Sequence, residues 1–281
     1  MTATETGVGD HYRERSWLER WSTAMRLSRT PRWLRTPLKH MLQAALRTMP
    51  GDHLTSRLPG GELVRVDPAY RHLAWNPEEY AALKACTRRG ATVLDVGANV
   101  GAYTLLFAQW VGSSGRVYAF EPAAASRAGL QRHLAINGLA GRVTVRPEAI
   151  AARVGRQPFV DVGTLGNNRL ATVADAPTID VRVSSLDEFC RISNIRPDLV
   201  KVDVEGAELD VLRGARQTIA ERGAALALFV ELHPSLWPSL GVTRADLEAE
   251  LHRQRLTIEP LPGVADPWST EGICVRLRSF A

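Results

Sequence analysis

The 281-residue chain carries 35 Lys/Arg against 30 Asp/Glu, a net charge of +5, and is 45 % hydrophobic. That apolar fraction suits a globular core, and the length suits one large domain with an extension. No apolar run approaches the ~18 residues of a membrane-crossing helix, the first ten residues lack the basic-then-apolar order of a secretory leader, and Cys86, Cys190 and Cys274 show no metal-ligand spacing. The expectation is a cytoplasmic protein with buried thiols.

Charge is placed unevenly. Residues 1–50 hold nine Lys/Arg and four Asp/Glu, so the whole excess lies there, and the remaining 231 residues balance with 26 of each sign. A balanced body argues against nucleic acid as its partner. Residues 1–10 read as disordered. Residues 11–28 have helical spacing, with Trp17, Trp21 and Met25 four apart. After Pro31, Thr36-Pro37 reads as an N-cap with proline at the first helical position. Leu34, Leu38, Leu42 and Leu46 then make a stripe that Pro50-Gly51 ends. Residues 1–57 are expected to be a basic helical extension that packs on the domain at 58–281 or on a second copy in a homo-oligomer. Attachment to an anionic membrane surface is the rival, and stable membrane insertion is not expected.

Glu62 to Asp67 alternates as a hairpin entry would, and Pro77 to Thr87 reads as a helix. The chain is organised around the stretch from Ala91 to Glu121. ATVLDV is apolar on both faces, as a parallel strand covered by helices should be. Asp95 closes it, and the turn Gly97-Ala98-Asn99-Val100-Gly101 comes next. Tyr103 to Val111 has helical spacing, Arg116 to Phe120 is a second strand, and Glu121 stands at its end. An acidic residue about 20 positions after such a turn binds nucleoside ribose hydroxyls in units of this kind.

The turn discriminates between nucleosides. A dinucleotide needs GxGxxG against an anionic pyrophosphate, but Asn99 replaces the middle glycine and Ala102 the last, and Asp95 would repel the phosphates. A carboxylate there suits the ammonium end of S-adenosylmethionine (SAM), and Asn tolerates a left-handed turn.

Residues 123–137 read as a helix closed by Asn137-Gly138, and Arg142 to Val145 as a third strand. Ala149, just after it, falls where backbone contacts to adenine are expected. Residues 151–180 carry hairpin signals that line a substrate mouth or form an edge. Val181 to Val183 is a strand, and Ser184 to Phe189 opens a capped helix. Leu199 to Val202 reads as a central strand continuing into Asp203-Val204-Glu205-Gly206-Ala207-Glu208, with Lys201, Asp203 and Glu205 on one side by alternation. Three charges at the end of an otherwise apolar strand are costly to bury unless paired or used. The spacing predicts one helix from Glu208 to about Glu221. The strand Ala224 to Glu231 ends in Glu231-Leu232-His233-Pro234, with Glu231 and His233 on one side. Residues 243–254 form a helix, and Gly272 to Leu277 a last strand. Asp95, Glu121, Asp203, Glu205, Glu231 and His233 all fall at strand ends, where open α/β sheets bind ligands.

DVGANVGAYT, the later FEP, SSLDEF, KVDVEGAE and ELHP, in this order, resemble the FkbM family of SAM-dependent methyltransferases over residues 80–235. The resemblance implies a Rossmann-like class I methyltransferase fold, with a seven-stranded, mostly parallel sheet, helices on both faces and an antiparallel last hairpin. It implies methylation of a hydroxyl on a small-molecule acceptor: a natural product, sugar or glycolipid. It places Asp95, Gly97, Ala98, Asn99 and Gly101 at the methionine end of SAM and Glu121 on the ribose. Asp203, which is also expected to touch the cofactor, joins Glu205, Glu231 and His233 at the family's acidic strand ends.

An alcohol is a poor nucleophile near neutral pH, so His233, with Glu231 or Asp203 orienting its ring, is the expected general base. A magnesium or manganese ion on Asp203, Glu205, Glu231 and His233 is the rival route. A dinucleotide-dependent oxidoreductase and a non-catalytic SAM-binding scaffold are the alternatives from other classes.

Overall fold

A computed structural model describes residues 53–71, 73–161, 168–171 and 178–280. The helices expected within residues 1–50, and parts of the 151–180 stretch with hairpin signals, lie outside the described residues.

The chain enters through a hairpin, β1 (Leu54–Arg57) against β2 (Leu63–Val66). This hairpin spans the boundary expected at 57/58. The helix Pro77–Cys86 comes next, capped by Asn76, whose side chain accepts from the Glu78 and Glu79 amides, with Pro77 at the first helical position. Proline is preorganised there and lacks only an amide that would have no partner.

The body is a seven-stranded sheet. β3 (Thr92–Val96), β4 (Arg116–Phe120) and β5 (Val143–Arg146) run parallel on one side of β10 (Leu199–Val202), and β11 (Ala227–Glu231) runs parallel on the other. The antiparallel pair β12 (Leu256–Glu259) and β13 (Cys274–Ser279) completes it beside β11, giving the order β12-β13-β11-β10-β3-β4-β5. This is the Rossmann-like class I methyltransferase arrangement. Between β5 and β10 the chain makes a separate four-stranded sheet: β6 (Ala149–Ile150), β7 (Gly155–Val160), β8 (Arg169–Leu170) and β9 (Thr178–Ser184), in the order β6-β9-β7-β8.

The inner strands are apolar on both faces because helices cover both. One core holds Val93, Leu105, Phe107, Trp110, Val117 and Phe229 under the helices Ala102–Trp110 and Pro77–Cys86. The other holds Leu94, Val96, Val200, Val202, Leu212, Leu228 and Leu251. β12 was not legible in the sequence, since Leu-Thr-Ile-Glu has too few residues to show a period.

The single helix expected from Glu208 to Glu221 is two, Glu208–Arg213 and Arg216–Arg222. Their junction is pinned from outside. The Gly214 carbonyl accepts from the Asp187 amide, and both Asp187 carboxylate oxygens accept from the Gln217 and Thr218 amides at 3.0 and 2.7 Å. Asp187 thus caps a helix 30 residues away, which periodicity alone does not reveal. Asp187→Ala should lower stability by about 1–2 kcal/mol, the scale of a lost N-cap, read as a shift in the urea midpoint. An unchanged midpoint would mean that the break has another cause.

Candidate active site

The glycine turn is built by close approach. Gly97 has φ +83, and a Cβ there would lie 1.7 Å from the Asp203 carbonyl oxygen. Any side chain would drive β3 and β10 apart. The Gly97 and Ala98 amides both donate to the Phe120 carbonyl at 3.0 Å, and Asn99 takes φ +47. His133, buried on the helix Ala124–Ile136, holds the far side of the turn with Nδ1 2.7 Å from the Val100 carbonyl. That partner is an acceptor, so Nδ1 carries the hydrogen. Burial holds His133 below its usual range, hence neutral.

Glu121 is 4 % exposed at the end of β4. One oxygen accepts from the Asn99 amide and the other from the Ala123 amide, each at 2.8 Å. Burial pushes its carboxyl up to about 7, against the pull of those two amides. It ties the turn to the next helix and still has lone pairs free for hydroxyl donors.

A cleft opens over these strand ends. Gly97, Asn99, Glu121, Ala149, Asp203 and Glu205 line it, together with Glu148 and, from the four-stranded sheet, Phe159, Asn168 and Leu170. Phe159, Asn168 and Leu170 of the 151–180 insertion therefore roof this cleft. Nothing in the sequence pattern marks Glu148 as part of it. Arg146 holds Glu148 at 2.8 Å, and Glu148 is 6 % exposed. Four carboxylates and no Lys or Arg face the cleft among the described residues. That set suits a nucleoside bearing positive charge, as SAM does, and opposes a pyrophosphate. Asp95 is not on the lining. It is 2 % exposed, accepts from the Thr104 hydroxyl, and lies opposite Lys201 in the β3–β10 register. Ala98 and Gly101 shape the turn from behind.

Beside the cleft, His233 meets four carboxylates. Nδ1 lies 2.8 Å from Glu208, whose other oxygen accepts from the Trp237 indole at 2.8 Å. Nε2 lies 3.4 Å from Glu231, 3.5 Å from Glu205 and 3.9 Å from Asp203. The ring is therefore oriented by Glu208, and not by Glu231 or Asp203 as expected. Both of those face the opposite nitrogen. Burial alone would lower the His233 pKa, but its hydrogen bonds to Glu208 and Glu231 prevail and raise it to about 11.

Glu205 reaches the cluster differently from the strand alternation expected of it. β10 ends at Val202, and Glu205 sits in the tight turn beyond with φ +51. For a non-glycine residue that backbone costs on the order of 1–3 kcal/mol and concentrates at functional sites. Burial, together with Asp203 and Glu231, pushes Glu205 up to about 7 against the pull of His233.

Under the cluster lies a further charged group. Lys201, 2 % exposed, donates to Asp203 at 3.0 Å. Glu79, from the helix Pro77–Cys86, accepts from the Tyr103 hydroxyl and from the Cys274 amide. Nothing in the local pattern of that helix marks Glu79 as buried.

The family model of the methyltransferase FkbM domain matches residues 95–261. "Methyltransferase 1" of Beauveria bassiana (strain ARSEF 2860) is 29 % identical over 148 residues, covering 43 % of this chain and 57 % of its own length. "Methyltransferase sdnD" of Sordaria araneosa is 29 % identical over 154 residues, covering 43 % of this chain and 59 % of its own. The chain thus spans less than two thirds of these relatives. Among solved structures, a methyltransferase FkbM from Methylobacillus flagellatus KT aligns with TM-score 0.44 and 22 % identity over 66 % of this chain and 43 % of that one. A SAM-dependent O-methyltransferase from Thermotoga maritima aligns with TM-score 0.40 and 13 % identity over 82 % and 79 %.

Glu121→Ala should weaken SAM binding by about 1–3 kcal/mol, the scale of hydrogen bonds to a charged group, as measured by isothermal titration. With a folded pKa of about 7, the carboxylate is ionised above that pH and accepts fully from ribose hydroxyls. Affinity should therefore fall as pH drops through 7, and Glu121→Gln should flatten that dependence. Unchanged affinity in the folded alanine variant would remove Glu121 from the cofactor site.

Proposed function

The chain belongs to the FkbM methyltransferase family and is a methyltransferase that uses SAM, and from that premise we propose that it methylates a hydroxyl of a natural product, sugar or glycolipid. The observation that carries the reading is the His233 cluster. An imidazole aimed at three carboxylates beside the cofactor cleft is a device for moving a proton, which an alcohol acceptor needs and an already strong nucleophile does not. "Methyltransferase sdnD" and its companion are methyltransferases by name, which agrees with methyl transfer as the reaction.

SAM supplies a methyl group already activated on a sulfonium, so the protein's work is alignment and proton removal. The Gly97–Gly101 turn, Glu121 and Ala149 bind and orient the nucleoside, and the roof from Phe159 and Leu170 excludes water. As the acceptor oxygen gains its bond to the methyl carbon, its proton passes to Nε2 of His233, while Nδ1–H stays donated to Glu208. Stabilising the imidazolium so formed is the task of Glu231, Glu205 and Asp203. These same carboxylates hold a proton on Nε2 in the free site. The ring therefore acts as a base only after that proton has left to solvent, driven out by the positive charge that SAM would bring beside these carboxylates, and this route needs no metal.

A second reading has its own observation. Asp203, Glu231 and His233 each offer a ligand atom within 4.8 Å of the others, and magnesium or manganese would suit those hard donors. Such an ion would supply the displacing charge and lower the acidity barrier of the hydroxyl directly. The acceptor oxygen would then lose its proton without His233 as the base.

His233→Gln should lower turnover by about 10²–10⁴-fold, the range of general-base assistance, while SAM affinity stays within about threefold. Methyl transfer from labelled SAM to a panel of hydroxylated acceptors is the assay. If EDTA leaves the rate unchanged, the base reading stands. If EDTA abolishes it and manganese restores it, the metal reading replaces it. Turnover unaltered in the His233 variant would defeat both.

A further inference from the structure

We propose that Lys201 is a positioning residue for methyl transfer, acting through Asp203 from the central strand of the sheet. The proposal rests on the reading of Asp203 as part of the site.

Lys201 sits on the central strand, with Asp95 opposite it on β3 and Phe229 opposite it on β11. Its neighbours along the strand are Val200 and Val202, both buried. Here an ammonium is expensive. Buried ion pairs seldom stabilise a fold better than apolar residues of similar size would, so stability alone is a poor reason for it.

The geometry supplies a better one. Asp95, opposite it across the sheet, accepts from the Thr104 hydroxyl through Oδ2. The Lys201 ammonium reaches along its own strand, toward the ligand end, and donates to Oδ2 of Asp203 at 3.0 Å. The other oxygen, Oδ1, is left facing His233, and Asp203 lines the cleft. One oxygen is gripped from the core, so the other is aimed.

The grip is itself held. The Tyr103 ring lies 5.0 Å from the Lys201 ammonium, a cation–π contact. The Tyr103 hydroxyl donates to Glu79, whose second oxygen accepts from the Cys274 amide at 2.7 Å. Asp95, Glu79, Asp203 and Glu231 thus surround the lysine from four separate elements. Against the cost of burial, Asp203, Glu79 and Glu231 hold its pKa well above the usual value.

A double-mutant cycle separates positioning from mere support, because residues acting through one another are non-additive. The variants are Lys201→Met, Asp203→Asn and the pair, with kcat/KM for SAM measured alongside melting temperature. Lys201→Met should cost about 10–100-fold, and Asp203→Asn at least as much. The double variant should fall no further than Asp203→Asn alone. Lys201→Gln, which keeps a donor toward Asp203, should recover part of the loss, and the cycle is run with it should Lys201→Met not fold. Multiplicative losses in the double variant, with Asp203→Asn harmful alone, would overturn the proposal and leave the site reading intact. A harmless Asp203→Asn would overturn both. Loss of melting temperature with kcat/KM of the folded protein unchanged would assign Lys201 to stability.

Discussion

Two backbones approach each other here more closely than any side chain permits. Gly97, at the end of β3, lies against the carbonyl of Asp203, at the end of β10, and the Asp203 amide returns a hydrogen bond to Val96 at 2.9 Å. This contact joins the turn proposed to cradle the nucleoside to the segment that carries the acid cluster. Because it is backbone to backbone, it has no rotamer freedom. The distance between cofactor site and proton-handling groups is thereby set by the sheet and not by loops, and precise placement of reacting groups is a large part of what an enzyme of this kind contributes.

The second constraint is electrostatic. Glu208, Glu231, Asp203, Glu205 and Glu79 converge within one region, against one imidazole and one ammonium. Buried carboxylates in such excess take up protons or attract a cation. The pKa of about 7 for Glu205, raised by burial and by Asp203 and Glu231, expresses the first outcome. A positively charged cofactor expresses the second, which is why an acidic cleft and a sulfonium donor belong together. The strained backbone at Glu205 fits this picture, since a tight turn and not strand alternation brings that carboxylate to His233.

Much of this was legible in the residues. Apolar strands bounded by glycine, with acids at their carboxyl ends, are visible without coordinates, and so is the failure of the dinucleotide pattern at Asn99 and Ala102. What periodicity could not reveal depends on partners distant in sequence. Asp187 breaks a helix 30 residues later. Glu208 reads as an ordinary acidic first-turn residue, yet it is the group that orients His233. Glu79 lies on a helix of mixed character, and its burial is decided by Tyr103 and Cys274. Asp95, expected at the cofactor, is buried and accepts from the Thr104 hydroxyl, a partner that local spacing does not announce.

Glu79 and Cys274 are bonded to each other across 195 positions, and both lie outside the stretch 95–261 that defines the family. The recognisable domain is therefore narrower than the working unit. A chimera that exchanged only the family segment between relatives would import the lysine and the acid cluster but leave behind the carboxylate that closes their floor. The transplant boundary that respects this chemistry begins before Pro77 and ends after Ser279.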